Sequence, residues 1–235
     1  REVGARPNIV VDGAPLASTT LTLSHWPNNT SPAAFRRETS TETAVAWVES
    51  HDPRRVAGIV TNNHFDEDGL FSMYTVLEPR RALAAAGLLA DAARCGDFGR
   101  YRSRDAARLC FTVEAYCDPD TSPLPAATFA TAGAARVAAL FHALLPRLPG
   151  FVDGLRALRR HWQAQDAHLA ASEELVAAGR VVIEEEPEHD LAVVRIPGGL
   201  APRTVRRYLR RESHAVHPFA IHGATRCGRL VRLCE

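Results

Sequence analysis

An apolar run, residues 56–61, ends in the polar octet Asn62-Asn63-His64-Phe65-Asp66-Glu67-Asp68-Gly69, which gives way at once to Leu70, Phe71, Met73, Tyr74 and Leu77 at helical spacing. A buried strand that feeds a helix through a polar loop is the building unit of an α/β sheet. Such sheets bind their ligands beyond the carboxyl ends of the strands. The octet is therefore where function is expected.

The rest of the chain is consistent with that unit. Residues 8–12 and 20–24 read as two short strands separated by Gly13, Ala14 and Pro15. Thr39 with Glu42 has capping-box spacing ahead of Val45, Trp47 and Val48, which predicts a helix to about Ser50. Pro79 opens a helix expected to reach about Arg94, with the break at Gly96-Asp97-Phe98-Gly99. Ser103 or Asp105 caps the next helix. An apolar stripe through Val137, Leu140, Phe141, Leu144 and Leu145 follows. Leu155, Leu158, Trp162, Leu169 and Val176 then keep the rhythm of one long amphipathic helix from Phe151, ended by Gly179. Two strands, 181–185 and 191–196, a short Arg-rich helix at 202–212, and strands at 219–221 and 230–233 complete the chain. The expected fold is a mixed, mostly parallel α/β sheet flanked by helices and completed by the C-terminal strands. It is read as one domain over 1–235 with a helical insertion at about 100–178.

Composition narrows the function classes. The 235 residues carry a net charge of +1, which argues against a whole-surface nucleic-acid or membrane binder. The chain contains no lysine, so Schiff-base chemistry and the P-loop lysine are excluded. No dinucleotide fingerprint, nucleophile elbow or H-E-x-x-H motif occurs. Cys95, Cys110, Cys117, Cys227 and Cys234 form no C-x-x-C pair, and their odd number points to a reducing compartment. With no leader-like or membrane-length apolar segment, a cytoplasmic protein without membrane contact is expected.

His64, Asp66 and Asp68 alternate along the octet, so in an extended segment they project from one side. One imidazole with two carboxylates suits Mn²⁺, Zn²⁺ or Fe²⁺ better than Mg²⁺ or Ca²⁺, and manganese is the favoured cofactor. Asp97, between Gly96 and Gly99, is a further candidate ligand, with Asp12 a similar and weaker one. His25 follows a strand and is a candidate fourth ligand or general acid if its strand lies near that of His64 and runs the same way. Asn63, Arg207 and Arg226 are candidates for substrate binding. The guanidinium groups of the Arg-rich end, residues 203–232, would hold a small anionic substrate, and single-stranded nucleic acid is less favoured because few aromatics are interleaved there. His189-Asp190 and the pair His161 and His168 read as surface and core edge. Oligomeric state leaves no signal in the sequence.

His64-x-Asp66-x-Asp68-Gly69 after an apolar strand resembles the first motif of the DHH phosphoesterase superfamily, although the chain has no Asp-His-His triplet. That resemblance implies two bound metal ions, often Mn²⁺, and hydrolysis of phosphoesters or phosphoanhydrides. Residues 23–27, 62–70 and 96–99 together resemble an actinobacterial family of unknown function along the whole chain, which implies no activity. The expectation is a metal-dependent hydrolase in which the ion lowers the pKa of a bound water and the hydroxide attacks a phosphoester. Its catalytic residues would be His25, His64 and Asp68 and its ligands His64, Asp66, Asp68 and Asp97. The alternatives are a biosynthetic metalloenzyme, for example with non-haem iron, and a non-catalytic anion or nucleic-acid binding module built on the Arg-rich end.

Overall fold

The computed structural model describes residues 3–27, 29–50, 58–189, 191–196 and 229–234. It is a mixed α/β fold, with a small parallel sheet packed against helices. Strands β1 (Asn8–Val11), β2 (Thr19–Leu23) and β3 (Ile59–Thr61) pair in the order β2-β1-β3, all parallel. All four residues of β1 are buried, as expected of a central strand covered on both faces. The parallel pairing of β1 with β2 needs a connection that returns to the start of the first strand. Residues 12–18 manage it because β1 is four residues long, a return of about 13 Å at 3.3 Å per residue.

Helix α1 (Ser40–Glu49) starts at the Thr39–Glu42 capping box read from the sequence. Helix α2 (Glu67–Leu77) is buried from Glu67 through Val76, since it packs against α1 on one side and α4 (Ala86–Phe98) on another. The helix expected from Pro79 to Arg94 is two: α3 (Pro79–Ala84) stops at Ala85 and α4 runs on to Phe98, inside the expected break. Gly96 is accommodated inside α4, and Gly99, at φ 61, supplies the left-handed cap. Asp97 thus sits in the last turn of a helix instead of a glycine turn.

Helix α5 (Arg104–Cys117) is capped by Ser103 and stacks on α4, with α8 (Arg159–Ala177) beyond it. Between them run α6 (Gly133–Leu144) and α7 (Leu148–Asp153). The long helix expected from Phe151 is interrupted: α7 ends at Gly154 and α8 begins at Arg159. Leu155, inside the gap, and Trp162, in the first turn of α8, remain buried, and the Trp162 indole N–H bonds the Leu155 carbonyl at 2.9 Å, so the apolar rhythm survives without one continuous helix. The buried apolar cluster runs from Ile9 to Val181, with Phe71, Phe111 and Leu109 among its fully buried members. Each contributes on the order of 1.5–3 kcal/mol by burial.

The C-terminal strands do not complete the first sheet. β4 (Val182–Glu186) pairs antiparallel with β5 (Leu191–Ile196), and β5 pairs parallel with β6 (Arg229–Cys234), in a second sheet. Their ladder groups satisfy one another, which removes any need for the edges of the first sheet. The helix expected at 202–212, the strand at 219–221, Asp190, Arg207 and Arg226 lie outside the described residues. Among the described residues, no helix is long and apolar enough to cross a membrane.

Candidate metal centre

Parallel pairing puts the carboxyl ends of β2, β1 and β3 at one sheet edge, and each end releases a polar residue there. β1 runs into Asp12, β2 into Ser24 and His25, and β3 into Asn62, Asn63 and His64. The condition for bringing the two imidazoles together, adjacent ends in one direction, is met with β1 between them. Asp12 is the hub. It is 1 % exposed and takes a left-handed backbone, φ 45, a conformation aspartate tolerates better than most residues.

One Asp12 oxygen, Oδ2, lies 3.1 Å from His64 Nε2, and that nitrogen lies 2.6 Å from Asp66 Oδ2. Asp66 is the N-cap of α2. Its Oδ1 accepts the Gly69 N–H at 2.7 Å, which turns Oδ2 toward His64. On the far side of the ring, His64 Nδ1 lies 3.2 Å from Asn63 Oδ1, and the His64 amide donates to Asn62 Oδ1 at 2.8 Å. Asn63 thus orients His64. Gly69 and Gly13 allow these approaches: a Cβ at Gly69 would fall 2.6 Å from Asn62 Nδ2, and one at Gly13 2.6 Å from Asn63 Oδ1.

The other Asp12 oxygen, Oδ1, accepts the Ser40 hydroxyl at 2.8 Å and lies 3.8 Å from His25 Nδ1. His25 Nδ1 is 3.1 Å from Asp68 Oδ2, while His25 Nε2 is 3.7 Å from Asp97 Oδ2. The octet therefore does not aim His64, Asp66 and Asp68 at one point. Asp66 ends the extended segment, Asp68 lies in the first turn of α2, and the helical turn carries Asp68 to the His25 side of Asp12. Asp12, His64 and Asp66 form one group whose ligand atoms lie within 4.8 Å of one another, and Asp12, His25 and Asp68 form another.

Electrostatics follow from crowding four carboxyl groups around two imidazoles. The hydrogen bond with Asp68, working against burial, raises the His25 pKa. Burial also opposes charge on His64, but hydrogen bonds with Asp12 and Asp66 outweigh it and lift its pKa to about 10. Burial, then repulsion from Asp68, Asp66 and Asp12, pushes Asp97 up to about 9. Asp97 Oδ2 and the Asn62 Nδ2 donor are buried with no hydrogen-bond partner, and the buried Asp12 Oδ2 faces the His64 imidazole. A buried carboxyl oxygen set against an imidazole nitrogen and a second carboxyl oxygen fits a divalent cation of the Mn²⁺, Zn²⁺ or Fe²⁺ type.

Sequence reasoning ranked Asp12 low and missed Ser40 and Thr41, although the capping box had located the helix start that carries them. His161 packs its ring 4.9 Å from Tyr116 and His168 is buried in α8, so neither joins the site, and His189 is exposed at the tip between β4 and β5. Arg94 and Arg100 are held by Glu38 and Glu42. The thiol of Cys110 is pushed up by its hydrogen bond with Cys95 and by burial, and that of Cys117 by burial, so neither is an activated nucleophile.

A family model described as a family of unknown function, DUF6687, matches residues 1–235. Neither a curated protein nor a solved structure matches the chain.

Proposed function

Because the chain belongs to the DUF6687 family of unknown function, whose membership brings no activity with it, we propose from the site alone that it is a metal-dependent hydrolase acting on a phosphoester. The observation that carries this reading is the buried Asp12 Oδ2 set against His64 Nε2, which also meets Asp66 Oδ2, at the carboxyl edge of a parallel sheet. Asp12, His64 and Asp66 would hold the cation, with Mn²⁺ favoured. When bound, such an ion lowers the pKa of a coordinated water toward neutrality and offsets charge on a phosphoryl oxygen.

The remaining work falls to the chain's own groups. Asn63 accepts the Nδ1 proton of His64 and so keeps the Nε2 lone pair for the centre. Asp97, the last carboxyl at the rim of α4, lies on the His25 side and outside both three-residue groups, so it would serve as a further ligand only with its ionised side chain turned toward the centre. His25, with its raised pKa, carries a proton close to Asp97 and can deliver one to a leaving oxygen. The likeness of His64-x-Asp66-x-Asp68-Gly69 to the DHH phosphoesterase motif supports the same substrate class. The anion-binding part assigned to Arg207 and Arg226 rests on sequence alone.

Elemental analysis of the purified wild type, His64→Ala and Asp66→Ala tests the reading, together with Mn²⁺-dependent cleavage of p-nitrophenyl phosphate and its diester. Metal and turnover are expected in the wild type and absent from both variants. Equal metal in all three overturns it. Two imidazoles and Asp12 on one edge also match a two-histidine, one-carboxylate iron site, a second reading that bound iron with oxygen consumption and no ester cleavage would favour.

A further inference from the structure

Asp68 differs from the other carboxylates of the cluster in that both of its oxygens accept backbone N–H groups. It is fully buried, and its Oδ1 accepts the Thr41 N–H at 2.7 Å. Its Oδ2 accepts the Ser40 N–H at 2.7 Å and lies 3.1 Å from His25 Nδ1. Those amides open α1, a ten-residue helix whose first N–H groups have no partner within the helix, so the carboxylate sits on the positive end of the helix dipole. Thr41 adds a bond from its hydroxyl to the Asp68 carbonyl at 3.2 Å, which fixes the backbone as well.

By residue type, Asp12, His25 and Asp68 could hold an ion of their own. Ser40 stands in the way. Its hydroxyl donates to Asp12 Oδ1 at 2.8 Å, lies 3.1 Å from His25 Nδ1 and accepts the His25 amide N–H at 3.1 Å. An ion bonded to these three residues at about 2.1 Å would compete for lone pairs that Ser40 already uses and press against its oxygen.

We infer that Asp68 is a positioning residue and not a cation ligand: with Ser40 and the first turn of α1 it holds the Nδ1 side of His25, leaving Nε2 as the ring nitrogen presented to the centre and to Asp97. The arrangement is a carboxylate–histidine pair of the kind that sets the tautomer and tilt of a functional imidazole. Its relevance to catalysis rests on the hydrolase reading above, whereas the hydrogen bonds themselves exist without metal and are tested without it.

The test compares Asp68→Asn with Asp66→Asn, each checked for fold by near-ultraviolet circular dichroism. Titrated with Mn²⁺ alone, Asp68→Asn is expected to reach the wild-type stoichiometry with affinity lowered by less than about tenfold, because the imidazole it positions is not among the ligands. Asp66→Asn is expected to lose the ion. In metal-free wild type, the His25 Nδ1 proton should give a low-field, slowly exchanging resonance that moves upfield in Asp68→Asn. Ser40→Ala, which keeps both amide donors, should shift the same resonance and serves if Asp68→Asn does not fold. Loss of stoichiometry in Asp68→Asn equal to that in Asp66→Asn overturns the inference, and so does the absence of a protected Nδ1 proton in the wild type. If the wild type takes up no Mn²⁺, the hydrolase reading falls and the proton resonance decides the role of Asp68 by itself.

Discussion

Replacing Asp97 by asparagine should stabilise the metal-free protein, by an amount set by pH. The Asp97 side chain is 14 % exposed and its pKa is raised from 3.8 to about 9, by burial first and then by repulsion from Asp68, Asp66 and Asp12. A carboxyl with a raised pKa binds its proton more tightly in the folded chain than in the unfolded one. Its contribution to stability therefore declines as pH rises from about 4 to about 9, and levels off beyond. At pH 7 the folded chain must take up a proton that the unfolded chain has released, at about 1.4 kcal/mol per pH unit over roughly three units, or about 4 kcal/mol. At pH 5 the same reasoning gives about 2 kcal/mol. Asparagine has nearly the same shape and needs no proton, so Asp97→Asn escapes this cost. For a chain of this size, about 4 kcal/mol corresponds to roughly 8–16 °C in Tm. Urea unfolding followed by tryptophan fluorescence in the presence of a chelator, at pH 5, 7 and 8.5, measures the gap between variant and wild type. The gap should widen with pH. With saturating Mn²⁺ it should narrow, because only the wild type can release the proton and offer a carboxylate to the cation. A gap that stays constant from pH 5 to 8.5 refutes the placement of Asp97 in a buried cluster of acids.

Cation uptake should itself release protons, because the Nε2 of His64 must be free and its pKa stands at about 10 in the metal-free protein. Mn²⁺ affinity is then expected to rise from pH 6 to 9 by up to about tenfold per unit, and titration heats should vary with buffer ionisation enthalpy; identical heats in all buffers would contradict this. Gly69→Ala puts a Cβ 2.6 Å from Asn62 Nδ2, 3.0 Å from Asp66 Oδ1 and 3.2 Å from Asp12 Oδ2. A folded protein with Mn²⁺ affinity reduced roughly tenfold or more is expected, measured by the same titration. Asp91, 5 % exposed, accepts the amides of Arg102 and Ser103 and the Ser103 hydroxyl, so Asp91→Ala should cost about 2–4 kcal/mol in chemical unfolding and leave metal stoichiometry unchanged.

What the sequence made legible is what its local physics dictates. The capping box at Thr39, the cap of α5 and the octet after β3 all depend on neighbours within a few residues; the capping box appears where expected, Ser103 is the cap of the two candidates, and α2 starts at Glu67, two residues before the expected Gly69. The two sheets were not separable, because which strand pairs with which is settled by distant segments. Gly96 and Gly99 are equivalent as letters, and only the packing of α4 against α2 makes the second one the cap, which leaves Asp97 on a helix. The same limit hid the focus of the site. His64 and Asp66 were recognisable as candidate ligands, but the atom they converge on belongs to Asp12, whose position before Gly13 reads as an ordinary turn. Its importance depends on β1 lying between β2 and β3, which no local pattern encodes. Once that order is given, the chemistry divides. A left-handed residue at the end of the central strand faces both outer strands, so its two carboxyl oxygens part, Oδ2 toward His64 and Oδ1 toward Ser40 and His25. A carboxylate at the end of either outer strand would have only one neighbouring strand end. The central position is what lets one aspartate join the candidate cation-binding half of the site to the half that holds His25 in place.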